Sequence, residues 1–125
     1  MGLVHADFVL THLFSKKSVC IRALVDTGAT QVFVTPAIAR ELGFDSEEVS
    51  RQNVTVADGR RLAVPHLGPV NIRFADRSCH TDVFVLGDEC LVGVIPLEGM
   101  DLVVDPKARQ VVTNPAHPDG PCFRV

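Results

Sequence analysis

The sequence consists of short apolar segments, each about four to eight residues long, separated by residues that favour turns. This pattern is typical of β-strands and predicts a mostly β fold. The clearest hairpin has its turn at Ala57–Arg60, between the apolar segments Val54–Val56 and Leu62–Val64. The Asp-Gly pair within that turn readily adopts the positive φ values of a tight hairpin. A polar turn at Ser15–Ser18 predicts another hairpin nearer the N-terminus.

Most of the remaining apolar segments also fit strands, and one segment fits a helix. Thr35 suits the N-cap of that helix, Pro36 its first turn and Gly43 its left-handed C-terminus. A shorter helical turn is expected at about Pro96–Met100. The further strands are separated by polar turns such as Ala75–Arg77, and they are expected at Val70–Phe74, Thr81–Leu86, Leu102–Val104 and Gln110–Thr113.

The length of 125 residues, of which 46% are hydrophobic, indicates a single globular domain with a substantial core. We expect residues 1–113 to form this domain. Residues 114–125 form a Pro-rich tail, which should be extended or loosely ordered unless it docks on another part of the protein.

Charge and hydropathy narrow the range of partners and compartments. The net charge is −3, and no stripe of basic residues is present that could follow a phosphate backbone, so we expect no nucleic-acid partner. We also expect no membrane association, because no apolar run reaches membrane-spanning length and no export signal is visible. A cytoplasmic location is the default expectation.

The cysteines and histidines give no sign of a metal site. The four cysteines are far apart and contain no C-x-x-C pair, which favours reduced thiols. Cys79 lies next to His80, but the spacings of zinc sites are absent, so we expect no metal ligands. The five histidines are interpreted as structural or solvated.

The most informative motif is the run Leu24–Thr30, in which Asp26 follows an apolar strand and begins the sequence Asp-Thr-Gly-Ala. In such a tight loop Thr27 offers a hydroxyl, while Gly28 lets other backbone approach the carboxylate. Asp, Thr and Gly are also common in ordinary turns, so the tripeptide alone is ambiguous.

Its setting resembles the active-site loop of the retroviral-type aspartic proteases, the retropepsins, and of their single-domain prokaryotic relatives. In that family an apolar segment, Asp-Thr-Gly-Ala and a strand follow one another, and Val32–Val34 supplies the strand here. The resemblance covers roughly residues 4–113, but only Asp26–Ala29 is a specific motif. Val94–Pro96, which replaces residues that are polar or charged in many relatives, and the Pro-rich tail depart from the family pattern.

The resemblance implies an all-β, single-lobe, closed β-barrel with one main short helix, active as a homodimer. It implies that Asp26 is the catalytic carboxylate and that a hairpin flap covers the site. Residues of the active-site loop and the segment packed behind it would be Thr27, Gly28, Ala29, Leu91, Val92 and Gly93. Residues of the flap that contact substrate would be Ala57, Asp58, Gly59 and Arg60.

The implied activity is hydrolysis of peptide bonds in a peptide or an unfolded protein. Two carboxylates must share a proton, so that one activates water and the other donates to the substrate carbonyl. The chain has one Asp-Thr-Gly and is too short for two lobes, so Asp26 of a second copy would complete the site. This chemistry requires no metal and no other cofactor.

Two other functions compete with the protease as interpretations of the sequence. The first is a non-catalytic dimerisation or peptide-binding module on the same fold, which the sequence does not exclude. The second is the phosphate loop of an actin-like kinase or ATPase, where Asp-x-Gly-Thr follows a strand. The chain is too short for the two lobes of that fold, and neither a Walker motif nor Gly-x-Gly-x-x-Gly is present.

Overall fold

The computed structural model describes residues 3–44 and 50–123. Within them the chain forms nine strands and two helices of six residues each. The helices are α1 (Pro36–Glu41) and α2 (Val94–Gly99). The strands are β1 (His5–His12), β2 (Ser18–Val25), β3 (Val32–Val34), β4 (Ser50–Thr55), β5 (Arg61–Phe74), β6 (Arg77–Val85), β7 (Leu91–Val92), β8 (Leu102–Asp105) and β9 (Gln110–Thr113).

Six strands close into a barrel-like ring in the order β1-β2-β7-β3-β6-β5, because β5 pairs with β1 as well as with β6. Strand β4 pairs with β5 and extends the sheet as a hairpin. Strands β8 and β9 form a separate two-stranded sheet. The expected closed all-β barrel is confirmed. No helix within residues 3–44 and 50–123 is long and apolar enough to cross a membrane.

The core follows from alternation along the strands. In β1 the side chains of Ala6, Phe8 and Leu10 are buried, whereas Asp7 between them is exposed. Each fully buried side chain of the size of Leu or Phe contributes about 1.5–3 kcal/mol relative to exposure. The same cluster includes side chains from β2, β3, β5, β6, β7, both helices and β9.

Helix α1 has the predicted ends. The Thr35 side-chain oxygen accepts a hydrogen bond from the Ile38 N–H at 3.3 Å, Pro36 occupies the first turn, and Gly43 has a φ of 86°. Helix α2 was expected as a shorter turn at Pro96–Met100, but it begins at Val94.

Strand β5 differs from the prediction. The sequence predicted two strands, Leu62–Val64 and Val70–Phe74, whereas the structure has one strand of 14 residues. Pro65 has no N–H to donate, but it lies within the part of β5 that pairs with β4. The register against β6 shifts between Leu67 and Val70, where Gly68 and Pro69 intervene. This irregularity accommodates residues that would otherwise interrupt a strand.

The described part of the Pro-rich tail docks on the barrel through Asp101. The Asp101 carboxylate accepts hydrogen bonds from the Asn114 side-chain amide at 3.0 Å and the Cys122 N–H at 3.1 Å, and it also contacts the His117 ring. The guanidinium of Arg77, which is 2% exposed, donates to the Asp101 carbonyl at 2.9 Å and to the His117 carbonyl. Residues 114–123 therefore dock on another part of the protein, which is the condition under which the sequence predicts an ordered tail.

Candidate active site

The Asp26 side chain lies in a tight loop at the end of β2. The Asp26 N–H donates to the Val92 carbonyl at 3.0 Å, which ties the loop to β7. The Ala29 N–H donates to the Asp26 carbonyl at 3.0 Å, and the Gly28 N–H donates to Asp26 Oδ1 at 2.8 Å. These bonds fix both the loop and the orientation of the half-buried carboxylate.

Gly28 lies close to the carboxylate of Asp26. A Cβ atom on Gly28 would lie 3.2 Å from Asp26 Oδ1, which is tighter than an ordinary contact. The missing side chain therefore lets the Gly28 N–H reach the carboxylate. The sequence suggested that Gly28 lets other backbone approach the carboxylate, whereas in the structure the N–H of Gly28 itself bonds to it.

A second segment, Gly93–Ile95, supports the same loop from behind. The Gly93 N–H donates to the Gln31 carbonyl at 2.9 Å, the Val94 N–H to the Ala29 carbonyl at 3.0 Å and the Ile95 N–H to the Thr30 carbonyl at 3.0 Å. Strand β7 itself lies between β2 and β3, where it pairs parallel with β2 and antiparallel with β3. The first turn of α2 thus satisfies the carbonyl groups of the loop that carries Asp26.

A cleft of about 880 Å³ opens over Asp26. One side is formed by the β4–β5 hairpin, which contributes Gln52 to Ala57. The other residues of the cleft come from the Asp26 loop, β3, β5, β6 and β7, and they are Asp26, Gly28, Ala29, Thr30, Gln31, Phe33, His66, Asp82, Phe84, Leu86 and Leu91. The cleft is partly apolar, as ligand sites commonly are.

The structure brings part of the predicted set of site residues into this cleft. Asp26, Gly28, Ala29, Leu91 and Ala57 line it. The other predicted residues lie around it. Thr27 is exposed in the Asp26 loop, Val92 and Gly93 pack behind that loop, and Asp58, Gly59 and Arg60 form the turn of the β4–β5 hairpin outside the described lining.

The turn of that hairpin is held by its own side chains. Asp58 Oδ1 accepts from the Arg60 N–H at 3.0 Å, and Asp58 Oδ2 accepts from Arg60 Nε at 2.7 Å. Gly59 has a φ of 89°, as the Asp-Gly pair predicts. The hairpin therefore ends in a well-defined turn, with Arg60 bound to Asp58.

Sequence analysis missed most residues of the cleft lining, and three of these, His66, Asp82 and Phe84, lie together. His66 pairs with Phe84 across β5 and β6, and the His66 ring stacks on the Phe84 ring with centroids 4.8 Å apart. His66 Nε2 lies 3.2 Å from Asp82 Oδ1. No local sequence signal connects residues this far apart, because only the register of β5 against β6 brings them together.

The described residues offer no evident metal site. Within residues 3–44 and 50–123, no group of three or more His, Cys, Asp and Glu side chains is placed to hold a metal ion. All four cysteines are free thiols. Burial raises the pKa of the Cys79 and Cys90 thiols, which keeps them protonated.

Comparison with known families identifies the family of the chain. Residues 15–103 match the family described as "gag-polyprotein putative aspartyl protease", and this match includes the Asp26 loop, the hairpin and β7. The chain belongs to this aspartyl protease family. No curated protein sequence matches this aspartyl protease homologue.

Solved structures share the retropepsin-like fold. The retroviral protease-like domain of Ddi1 from Leishmania major has a TM-score of 0.61 and 15% identity, over 92% of this chain and 90% of that domain. A retropepsin-like aspartic protease from Rickettsia conorii has a TM-score of 0.58 and 19% identity, over 83% of this chain and 88% of that one. The EIAV protease, solved with the inhibitor HBY-793, has a TM-score of 0.57 and 17% identity, over 74% of this chain and 82% of that one. At these identities the likeness concerns the fold.

Proposed function

We propose that this member of the aspartyl protease family is an endopeptidase in which Asp26 from each of two copies forms the catalytic pair. The observation that carries the proposal is the position of Asp26. Its carboxylate lines an open cleft, while its loop is fixed from within by Gly28 and from behind by Gly93 and Val94. Such fixed orientation is what a general acid or base requires.

Within one copy, the described lining of the cleft offers no suitable second acid. The described lining of the cleft includes one other carboxylate, Asp82, and that side chain contacts His66 at 3.2 Å. Peptide hydrolysis by this chemistry requires two carboxylates that share a proton at short distance. A two-fold homodimer supplies the second Asp26 without any further residue.

The surface beside the loop supports a homodimer. Thr27 is exposed, and it would brace the two loops across the two-fold axis. The Ile95 side chain is 48% exposed, although the Ile95 N–H is bonded to the Thr30 carbonyl of the same loop. An apolar side chain exposed beside the proposed axis would be buried when two copies meet.

The substrate would be an extended peptide. The β4–β5 hairpin lies along the cleft, and within the described residues β4 pairs with β5 alone. A peptide could add to its backbone by strand-like hydrogen bonds while its side chains enter the cleft. Ala29, Asp58 and Gly59 would contribute contacts near the reacting bond.

The decisive experiment compares the wild-type chain with Asp26→Asn on a denatured protein substrate at mildly acidic pH, with and without a statine-type inhibitor. We expect cleavage by the wild type that the inhibitor blocks, no cleavage by Asp26→Asn, and full activity of the control Asp76→Asn, whose residue is exposed in a turn. The rate should be bell-shaped in pH because two coupled acids titrate. Peptide binding without turnover by the wild type would favour the non-catalytic module.

Solution mass provides an independent test. Sedimentation of the wild-type chain should show a dimer at the concentrations at which it cleaves, with activity falling as the dimer dissociates. Activity that persists in a strictly monomeric sample would refute the shared site.

We also propose a cytoplasmic location. The support is the set of four free cysteines, two of them exposed, which suits a reducing compartment. Cell fractionation with an antibody to the full chain would test it, and recovery outside the cytoplasm would contradict it.

A further inference from the structure

A row of ring side chains crosses the floor of the cleft. His66 on β5 is the cross-strand partner of Phe84 on β6, and Phe84 is the partner of Phe33 on β3. Neighbouring rings in this row have centroids 4.8 Å and 5.7 Å apart. All three residues line the cleft, but Phe84 is only 6% exposed, so the surface that the row offers to a ligand belongs mainly to the half-buried His66 and Phe33.

An ionisable pair lies at the His66 end of this row. Asp82 precedes Phe84 by two residues on β6, so both side chains point to the same face of the strand. Asp82 Oδ1 lies 3.2 Å from His66 Nε2, and the two side chains are 46% and 29% exposed. Asp82 is therefore anchored, yet accessible from the cleft.

The polar atoms of this pair retain unused hydrogen-bonding capacity. His66 Nε2 is shielded from solvent, and no described residue forms a hydrogen bond of normal geometry with it. Its contact with Asp82 has the distance of an ion pair without the geometry of a hydrogen bond. Among the described residues, none donates a hydrogen bond to the second oxygen of Asp82, which leaves that oxygen for a ligand.

Apart from the ionisable His66, the charged side chains of the described cleft lining have one sign. That lining contains two carboxylates, Asp26 and Asp82, but no Lys and no Arg. A cleft of low dielectric lined by one sign of charge attracts groups of the opposite sign. An acidic side chain would meet Asp82 with no Lys or Arg of the described lining to offset the repulsion.

We propose that Asp82, His66 and Phe84 form a subsite that selects an arginine side chain of the bound peptide. The planar guanidinium stacks on the exposed part of the His66 ring, which Phe84 supports from beneath, and donates to the free oxygen of Asp82, a geometry that suits arginine better than lysine. This inference rests on the proposed function in that the ligand is a peptide bound in the same cleft.

The subsite recognises a residue away from the bond that is cut. Leu91 pairs with Phe33, so the row continues from His66 through Phe84 and Phe33 to Leu91 on β7, beside the strand that leads to Asp26. Three strand spacings of about 4.8 Å separate Leu91 from His66. Asp82 thus contributes to the choice of substrate, and Asp26 to the reaction.

The test measures binding separately from cleavage. A set of fluorescent ten-residue peptides carries arginine, norleucine or glutamate at each position in turn and is titrated into the full chain with Asp26→Asn. The pH is kept slightly alkaline, where ordinary imidazoles are neutral. We expect one peptide position at which arginine binds about fivefold more tightly than norleucine, as a partly exposed charge pair allows, and at which glutamate binds least.

Asp82→Asn in the same background removes the charge while keeping the shape, and it should reduce the preference for arginine to less than about twofold. The matched control Asp76→Asn should leave that preference unchanged, and added salt should weaken it. Thermal unfolding of each variant verifies the fold. Absence of a position that prefers arginine, or an equal preference in Asp82→Asn, would overturn the subsite.

These outcomes do not depend on catalysis. If the wild type fails to cleave any substrate but the arginine preference is present and depends on Asp82, the subsite stands and the endopeptidase proposal fails. If the wild type cleaves with no arginine preference at any position, the subsite fails and the endopeptidase proposal stands.

Discussion

A Cβ atom on Gly93 would lie 2.5 Å from the carbonyl oxygen of Ala29. Real side chains do not approach a backbone oxygen so closely, so the junction between β7 and α2 is in direct backbone contact with the Asp26 loop. The nearby bonds from Gly93 N–H to Gln31 and from Val94 N–H to Ala29 depend on the same approach. Gly93 thus determines how accurately Asp26 is held, although it does not line the cleft.

The substitution Gly93→Ala should therefore destabilise the folded protein. The added methyl would meet the backbone of Ala29 and Thr30, which cannot move without breaking the bonds that hold the loop. We expect a loss of about 3 kcal/mol in the free energy of unfolding, measured by urea denaturation. We also expect peptidase activity to be lost under conditions in which the variant remains folded.

The matched control for this variant is Gly68→Ala. Gly68 is exposed in β5 and does not adopt a positive φ. A Cβ atom added there would have no other atom within 4 Å. Its substitution should change the free energy of unfolding by less than about 1 kcal/mol. Similar costs for the two variants would show that the contact behind the loop has no special role.

A further prediction concerns the turn of the β4–β5 hairpin. Gly59 has a φ of 89° and open space around it, so Gly59→Ala should cost about 1 kcal/mol through backbone strain alone. Because the strain disturbs the tip that would cover the substrate, kcat/KM for a peptide should fall several-fold. Steady-state kinetics and thermal unfolding measure the two effects.

Gly87→Ala provides the comparison, because Gly87 has a φ of 79° with equally open space and lies after β6 instead of at the tip of the β4–β5 hairpin. It should cost similar stability while leaving kcat/KM near the wild-type value. Equal losses of kcat/KM in both variants would remove the hairpin tip from the substrate site.

The features that the sequence predicts well are local. The ends of α1 depend on Thr35, Pro36 and Gly43, which lie within or next to the helix that they delimit. The hairpin turn depends on Asp58, which accepts a hydrogen bond within the turn, and on Gly59, which adopts a positive φ there. The loop at Asp26 has the same character, because Gly28 bonds to a side chain two residues away.

The features that the sequence does not predict depend on contacts between distant segments. Arg77 was expected in a turn, but it begins β6 and is buried because its partners are carbonyls of Asp101 and His117. His66 and Asp82 meet only through the pairing of β5 with β6. The position of Gly93 against Ala29 likewise requires β7 to lie between β2 and β3.

The docked tail leads to a prediction about pH. The hydrogen bond from the Asn114 amide is the largest cause that lowers the pKa of Asp101, and the Cys122 N–H and His117 add to it against the opposing effect of partial burial. A carboxylate with a lowered pKa in the folded state stabilises that state at pH values above its unfolded pKa. That contribution is lost as the pH falls through the lower, folded pKa.

Docking of the tail should therefore persist across the mildly acidic pH range in which two coupled aspartates are expected to work. It should weaken only below the ordinary aspartate pKa of 3.8. The NMR signals of the Asn114 side-chain amide and the Cys122 backbone amide would follow this release. Asp101→Asn should shift both signals at every pH, because the neutral amide that replaces the carboxylate cannot bind the tail in the same way. It should also remove the acid transition of these signals, because residue 101 then no longer titrates. Asp119→Asn, an exposed neighbour within the tail, should keep the transition. A transition that survives in Asp101→Asn would assign the docking to another group.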